Sequence, residues 1–189
     1  RDGAQSLWAG GLRLGMIEVV AEAMDRAGFE AIEVPVGGNR LKKSLRDLKE
    51  NPWDLARMVA RKMPNTVKSM MAGAFIVPFE APPPRSIVEL YHARLAEIGA
   101  LNRVQVTANT LDQVERVFPW LIPMFKAMGL QIAIALSYSI SPRHTDEYYA
   151  QKASEVLAFK PDAIYLKDQG GLLTMDRART LFPGMVQSA

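Results

Sequence analysis

The feature that most constrains this chain is a regular beat of helix-stopping residues, each followed by a short apolar run. Gly28, Pro64, Gly99, Gly129 and Pro161 stand 36, 35, 30 and 32 residues apart. Strand-like segments follow them at residues 29–34, 66–72, 101–107, 130–136 and 163–167. A strand plus a helix at this period predicts a parallel α/β architecture, because parallel neighbours need a crossover long enough to hold a helix. Periodicity alone allows either a doubly wound sheet or an eightfold barrel. No Gly-x-Gly-x-x-Gly loop follows any strand, which weakens the dinucleotide-binding version. Eight units need about 250 residues, and 189 residues supply five full strands plus at most the tip of one before Arg1. The expectation is a partial TIM (β/α)8 barrel with five to six of its eight units, a single incomplete domain over 1–189 truncated at both ends.

The helices are written in the spacing of apolar side chains. Leu14, Ile17, Val20, Ala21 and Met24 form one helical face, and Trp53, Leu55, Ala56, Val59 and Ala60 form another after Asn51-Pro52. Further helices are expected at 86–98, at 111–128 with kinks or breaks at Pro119 and Pro123, at 145–159 and from 174 onward. The runs at 130–136 and 163–167 are apolar on both faces, as in strands covered on both sides.

Composition excludes several classes. Apolar residues make up 49% of the chain, enough for a core, and 23 Lys and Arg against 20 Asp and Glu leave a net charge of only +3. No basic stripe interleaved with aromatics points to nucleic acid. The absence of cysteine removes disulfides and thiolate metal sites. No apolar run reaches the roughly 20 residues that span a bilayer, and the start lacks the pattern of a signal peptide; a cytoplasmic setting is expected.

Chemistry concentrates at two strand tips. Asp2 follows a strand expected before Arg1, where it either caps a turn or offers a hard oxygen to a divalent cation. Arg1 and Gln5 flank it, one suited to a carboxylate and the other to a carbonyl or enolate oxygen. At the other tip, alternation puts Ala163, Tyr165 and Lys167 on one face of a buried strand. A charged Lys167 there must be paired, neutralised or bound, or else snorkel to solvent. Asp168 either pairs with it or caps the next turn, and Gly170-Gly171 permit a close backbone approach. Glu33, followed by Gly37-Gly38, is a weaker candidate at a third tip. His92 reads as an ordinary surface or half-buried helix position and His144 as a cap or turn residue. Neither histidine has a second one at metal-ligand spacing.

The residues resemble those of the carboxyltransferase domain of biotin-dependent enzymes: pyruvate carboxylase, the oxaloacetate decarboxylase alpha subunit and transcarboxylase, within a wider superfamily of metal-dependent lyases and aldolases. Arg1-Asp-Gly-Ala-Gln-Ser6, Glu33-Val34, Asn51-Pro-Trp53, Tyr138 with Ser141-Pro142 and His144-Thr145, Glu147-Tyr148-Tyr149 and Lys167-Asp168 with Gly171-Leu172-Leu173-Thr174 carry the match in order along nearly the whole chain. The resemblance implies a TIM barrel with a divalent metal (zinc, manganese or cobalt) at its C-terminal mouth. It makes Asp2 and Lys167 metal ligands, Lys167 being carboxylated on its amine, and gives Arg1 and Gln5 contacts to the substrate. Arg1, Gln5 and Lys167 form the implied catalytic set. The implied reaction moves carboxyl between carboxybiotin, on a separate carrier domain, and a 2-oxo acid of the pyruvate or oxaloacetate type through an enolate. Implied partners are that acid, the biotin carboxyl carrier and biotin carboxylase, with a homo-oligomer when complete.

The chain departs from that pattern. The family's His-x-His pair and proton-relay threonine are expected beyond Ala189, so the 189 residues alone are expected to be inactive, weak in metal binding and of low stability. Ala72 stands where the family has an arginine, and Gln105 and Ala108 stand where it has an arginine and an aspartate. These exchanges remove charge from the substrate anchor, so a differently anchored acyl substrate stands beside pyruvate. A biotin-independent aldolase or lyase of the same superfamily and a non-catalytic barrel scaffold are the alternatives.

Overall fold

The structure, a computed structural model, describes residues 8–72, 83–109 and 113–187, apart from the side chains of residues 38 and 39. It divides into two compact units, Arg1–Val104 with Ala127–Leu130, and Gln105–Lys126 with Gln131–Ala189. Five strands are described: β1 (Ala31–Glu33), β2 (Val67–Met71), β3 (Arg103–Thr107), β4 (Gln131–Ser137) and β5 (Ala163–Lys167). Sheet order equals chain order, the singly wound pattern of a barrel rather than the reversing order of a doubly wound sheet.

In the first unit, β1 and β2 pair in parallel with Ala31 opposite Val67 and Glu33 opposite Ser69. Helix α1 (Leu14–Arg26) precedes β1, and α3 (Pro52–Lys62) precedes β2. The Asn51 side chain accepts from the Trp53 amide at 3.0 Å, and Pro52 sits where a helix needs no N–H. Leu55, Ala56, Met58 and Val59 bury the inner face of α3. The expected face of α1 is only partly buried: Ala21 is covered, while Val20 and Met24 are exposed. An apolar cavity of about 430 Å³ opens beside that face, reaching Ile32, Val34 and Met70 of the sheet. Residues 38–48, for which no element was expected, coil as α2 (Gly38–Lys42) and a wider turn of five-residue hydrogen bonds over Lys43–Leu48.

The start of β2 is held by Asp25. Its carboxylate accepts from the Thr66 amide at 2.8 Å, the Asn65 amide at 3.2 Å and the Asn65 side chain at 2.8 Å. Burial raises its pKa, but these hydrogen bonds outweigh that and hold it below the usual aspartate value. Lys68, buried beside it, donates to the Met63 and Thr66 carbonyls at 2.8 and 3.2 Å. Helix α4 (Arg85–Ile98) ends at Gly99, whose φ of +79° suits glycine. It buries His92 rather than leaving it at the surface, with 1% of the residue exposed. The imidazole Nδ1 lies 2.6 Å from the Val88 carbonyl, and burial pushes the pKa down to about 4.

In the second unit, β4 and β5 pair in parallel with Ala135 opposite Tyr165 and Ser137 opposite Lys167. The end of β3 joins them, the Ala108 amide donating to the Ala135 carbonyl at 3.0 Å. All five central residues of β4 are buried, as its two-sided apolar pattern requires. Strand β5 differs from expectation: Ala163 is exposed and the rest are half-buried. It stands last in the sheet order, so no further described strand covers its outer edge. The segment before β4 begins as a wide turn at Gln113–Val117 and continues as α5 (Phe118–Ala127). The change falls where Pro119 lacks the N–H that an α-helical ladder needs. Helix α6 (Asp146–Leu157) is capped by Thr145, whose hydroxyl accepts from the Tyr148 amide at 3.2 Å. It packs on α7 (Met175–Gln187), with Arg177 paired to Asp146. No helix among the described residues is long and apolar enough to cross a membrane.

Candidate active site

The functional end of the second unit is the set of C-terminal tips of β3, β4 and β5. Side chains two residues apart on a strand share a face. Tyr165 and Lys167 therefore project together, as do Ala135 and Ser137 beside them in register. The Tyr165 hydroxyl donates to Gln105 Oε1 of β3 at 2.7 Å, linking residues 60 apart in sequence. This pair is neutral, and it lies two residues below Lys167 on the same face. At the tip, the Tyr138 amide donates to the Lys167 carbonyl at 2.8 Å. The Ser137 hydroxyl is buried and has no hydrogen-bond partner among the described residues.

Asp168 takes the turn-capping role. Its two carboxylate oxygens accept from the amides of Leu172 at 3.0 Å and Leu173 at 2.8 Å, across a turn in which Gly171 has φ of +63°. The hydrogen bonds from Leu172 and Leu173 hold its pKa below the usual aspartate value. That turn sets the direction in which the backbone leaves Lys167.

A polar cavity of about 310 Å³ opens beside these tips, between the end of β4 and α6. Ser137, His144, Tyr148, Lys152, Asn109 and Gln169 contribute to its wall. His144 Nδ1 lies 2.7 Å from the Ser141 hydroxyl, and its ring meets those of Tyr148 and Tyr149 with centroids 5.0 and 6.0 Å away. The Tyr149 hydroxyl is committed to the backbone, accepting from the Ser139 amide at 2.9 Å and donating to the Ser137 carbonyl at 3.3 Å. Burial raises its pKa. Lys152 is held by Glu155 at 2.5 Å.

Of the residues expected to carry function, Lys167 stands at the tip of β5 as the alternation requires. Arg1, Asp2 and Gln5 lie outside the described residues. Glu33 ends β1 half-buried and lines the apolar cavity of the first unit. Ala72, where the family pattern has arginine, is buried at the end of β2. Among the described residues, no group of three or more His, Cys, Asp or Glu side chains is placed to hold a metal ion. Lys167 itself fits a metal-ligand role on chemical grounds: at a half-buried strand tip, carboxylation would turn its cation into an anionic oxygen donor beside a buried hydroxyl. His144 takes the turn role expected of it, its amide donating to the Ser141 carbonyl at 3.0 Å, while Ser137 and the Gln105–Tyr165 pairing were not read from the sequence. The period-two alternation held the signal for Tyr165, but its partner could not be read without strand register.

Laid over the carboxyltransferase domain of Rhizobium etli pyruvate carboxylase, the chain matches over its whole length, covering 32% of that structure, with a TM-score of 0.86 and 26% identity. This chain resembles a biotin-dependent carboxyltransferase domain. The same domain crystallised with pyruvate matches the chain at a TM-score of 0.87 and 25% identity, over all of this chain and 33% of that one. A pyruvate carboxylase subunit from Methanocaldococcus jannaschii is 32% identical over 92% of this chain and 30% of that protein. The large subunit of 2-oxoglutarate carboxylase from Hydrogenobacter thermophilus is 27% identical over 100% of this chain and 28% of that protein. The chain thus spans about a third or less of the length of these relatives. No family model matches it. The partial TIM-barrel fold expected from the repeat is the fold observed, and the carboxyltransferase-like order of strands sets Lys167 at a C-terminal tip.

Proposed function

We propose that this chain is part of a biotin-dependent carboxyltransferase or decarboxylase that moves carboxyl between carboxybiotin and a 2-oxo acid through an enolate. The observation that carries this reading is the whole-chain match to a carboxyltransferase domain together with Lys167 at the tip of β5. The relatives' names supply two 2-oxo acids, pyruvate and 2-oxoglutarate. The biotin carrier, the biotin carboxylase and assembly into an oligomer belong to the same proposal.

Lys167 is assigned as a carboxylated metal ligand, a role the resemblance also gives to Asp2. Lys167 first loses its ammonium proton; the neutral amine then adds to CO2, forming an N–C bond, opening one C=O π bond and releasing a second proton, so a half-buried cation becomes an anion. A bound zinc, manganese or cobalt ion would supply charge stabilisation to the developing enolate oxygen. Arg1 and Gln5 are assigned to the substrate's carboxylate and carbonyl. The neutral Gln105–Tyr165 pair keeps the floor beneath Lys167 uncharged, so substrate charge is met elsewhere.

The test follows isotopic carbon. The complete protein of which this chain is proposed to be part is incubated with 13C-bicarbonate and its carbamate resonance recorded, with Lys167→Arg as control; in parallel, 2-oxo acid-dependent carboxyl transfer is assayed with free biotin and carrier protein. A carbamate signal absent from the variant, with transfer lost in it, is expected. Equal signals in both proteins would remove the assignment of Lys167, and transfer without biotin would favour the aldolase or lyase alternative.

A further inference from the structure

Residues 8–14, which join the Arg1–Ser6 motif to α1, are held from outside by residues 40–50, the coil that follows β1. Arg40 of α2 donates through Nη1 to the Gly10 carbonyl at 2.9 Å and through Nη2 to the Leu12 carbonyl. The Glu50 carboxylate accepts from the Leu14 amide, the first of α1, at 3.1 Å, and Arg13 donates to the Leu48 carbonyl at 3.2 Å. Within the loop, the Gly11 amide closes a turn on the Trp8 carbonyl at 2.7 Å. Ala9 holds a φ of +48°, a left-handed conformation that is costly for a residue with a Cβ. A loop strained in this way keeps one path only where its surroundings fix it.

Arg40 is an unusual residue for that place. Only 6% of it is exposed, and its Nε has no hydrogen-bond partner among the described residues. Burial disfavours its charge, and Glu50 offsets part of that. It also lines the apolar cavity with Ile32, Val34 and Met70, where an unbranched apolar side chain would serve the packing without burying a charge. What the guanidinium adds is geometry. Its rigid fork meets two carbonyls two residues apart, fixing both the position and the direction of the chain between them. Only Ser6 and Leu7 stand between Gln5 and this loop. Arg1 and Gln5 lie outside the described residues, but their chain runs directly into the segment that Arg40 clamps.

We propose that Arg40 is a positioning residue for the 2-oxo acid: by clamping Gly10 and Leu12 it fixes the loop from which Arg1 and Gln5 are presented to the substrate. The inference rests on the 2-oxo acid reading above and adds the group that holds its substrate-binding motif in place. Because its two bonded nitrogens are engaged by main-chain carbonyls, Arg40 acts through the loop rather than by touching the substrate. Misplacing a substrate-binding group by about 1 Å is enough to cost up to about 100-fold in rate. An apolar replacement separates this role from packing, since it keeps the side chain's bulk in the cavity wall and releases the loop.

The experiment compares the complete protein of which this chain is proposed to be part with its Arg40→Met variant, using pyruvate and 2-oxoglutarate as probes. Amide hydrogen exchange over residues 8–14 should be about tenfold faster in the variant, the effect of one hydrogen bond to a charged group. KM for the accepted acid should rise about tenfold, while KM for the carboxylated carrier protein and the Lys167 carbamate signal stay as in the parent. The urea midpoint should be unchanged or higher, because a buried charge has been replaced by an apolar chain. Arg40→Lys, which keeps the charge and one donor group without the fork, should show the same changes to a smaller extent, and it serves in place of Arg40→Met should that variant not fold. Unaltered exchange, an unmoved KM for the acid, or both KM values rising together with a lowered urea midpoint would overturn the positioning role and leave the 2-oxo acid reading in place. A parent protein that turns over neither acid would remove that reading and this role with it.

Discussion

Ser137 and Lys167 face each other across the β4–β5 ladder, register partners locked by the 2.8 Å hydrogen bond from the Tyr138 amide to the Lys167 carbonyl. Their side chains leave the same face of the sheet, at the end where parallel α/β barrels carry their chemistry. One is an ionisable group and the other a buried hydroxyl with no hydrogen-bond partner among the described residues. A buried hydroxyl left unmet by the described residues costs stability, and it gives the first prediction.

Ser137→Ala removes a buried polar atom that no described residue satisfies. Without ligand, the variant is expected to be more stable than the parent by about 1 kcal/mol, because the desolvation penalty disappears with the hydroxyl. Urea unfolding of the two proteins checks this. A destabilised variant would mean that the hydroxyl is already satisfied.

Tyr165→Phe deletes the 2.7 Å bond to Gln105 and leaves the ring in place. The expected loss is about 1 kcal/mol, the net contribution of one such bond. Pairing it with Gln105→Leu in a double-mutant cycle isolates the coupling. A coupling near zero would show that the two side chains do not depend on each other.

His92 makes stability pH-dependent on the acid side. Its folded-state pKa, about 4, lies below the ordinary 6.5, so between these values the unfolded chain binds a proton that the folded chain refuses. Stability from this residue is full above pH 6.5 and is lost as pH falls toward 4, by roughly 3 kcal/mol. His92→Leu should flatten the dependence of the urea midpoint over that window; an unaltered slope would assign it to other groups.

Asp25 acts lower on the pH scale. Hydrogen bonds to residues 65 and 66 keep its carboxylate ionised below the reference value of 3.8. Its contribution is therefore present above about pH 4 and is lost as pH falls through the folded value. Asp25→Asn should lower the urea midpoint at pH 7, with the gap to the parent narrowing below pH 4. A gap that stays constant down to pH 2 would show that charge is not what Asp25 supplies.

Much of the fold is legible in the chain because its signals are local. Stops at Gly28, Gly99 and Gly129, apolar spacing in α1 and α3, and the two-sided apolar run of β4 depend on backbone sterics and on neighbours within one turn or strand. Alternation in β5 likewise put Lys167 at a tip and on the face of Tyr165. The exceptions are instructive. Leu41, Leu45 and Leu48 give residues 38–48 only a short helical spacing, too brief to mark the coil there, and His92 is buried by packing that a single helix does not encode. Whether Asp168 paired with Lys167 or capped a turn was open in the sequence, since both need only a carboxylate at that position; the backbone path through Gly171 decided it.

By itself, then, the sequence determined the kind and order of the elements, the parallel α/β repeat and the strand tips that carry Lys167 and the family pattern. Tertiary structure alone decided that Tyr165 reaches Gln105 and that Ser137 stands beside Lys167. The division has a physical cause. Periodicity follows from geometry repeated along one stretch of chain, whereas these pairings depend on register between strands, and a slip of one residue would turn every one of those side chains to the opposite face.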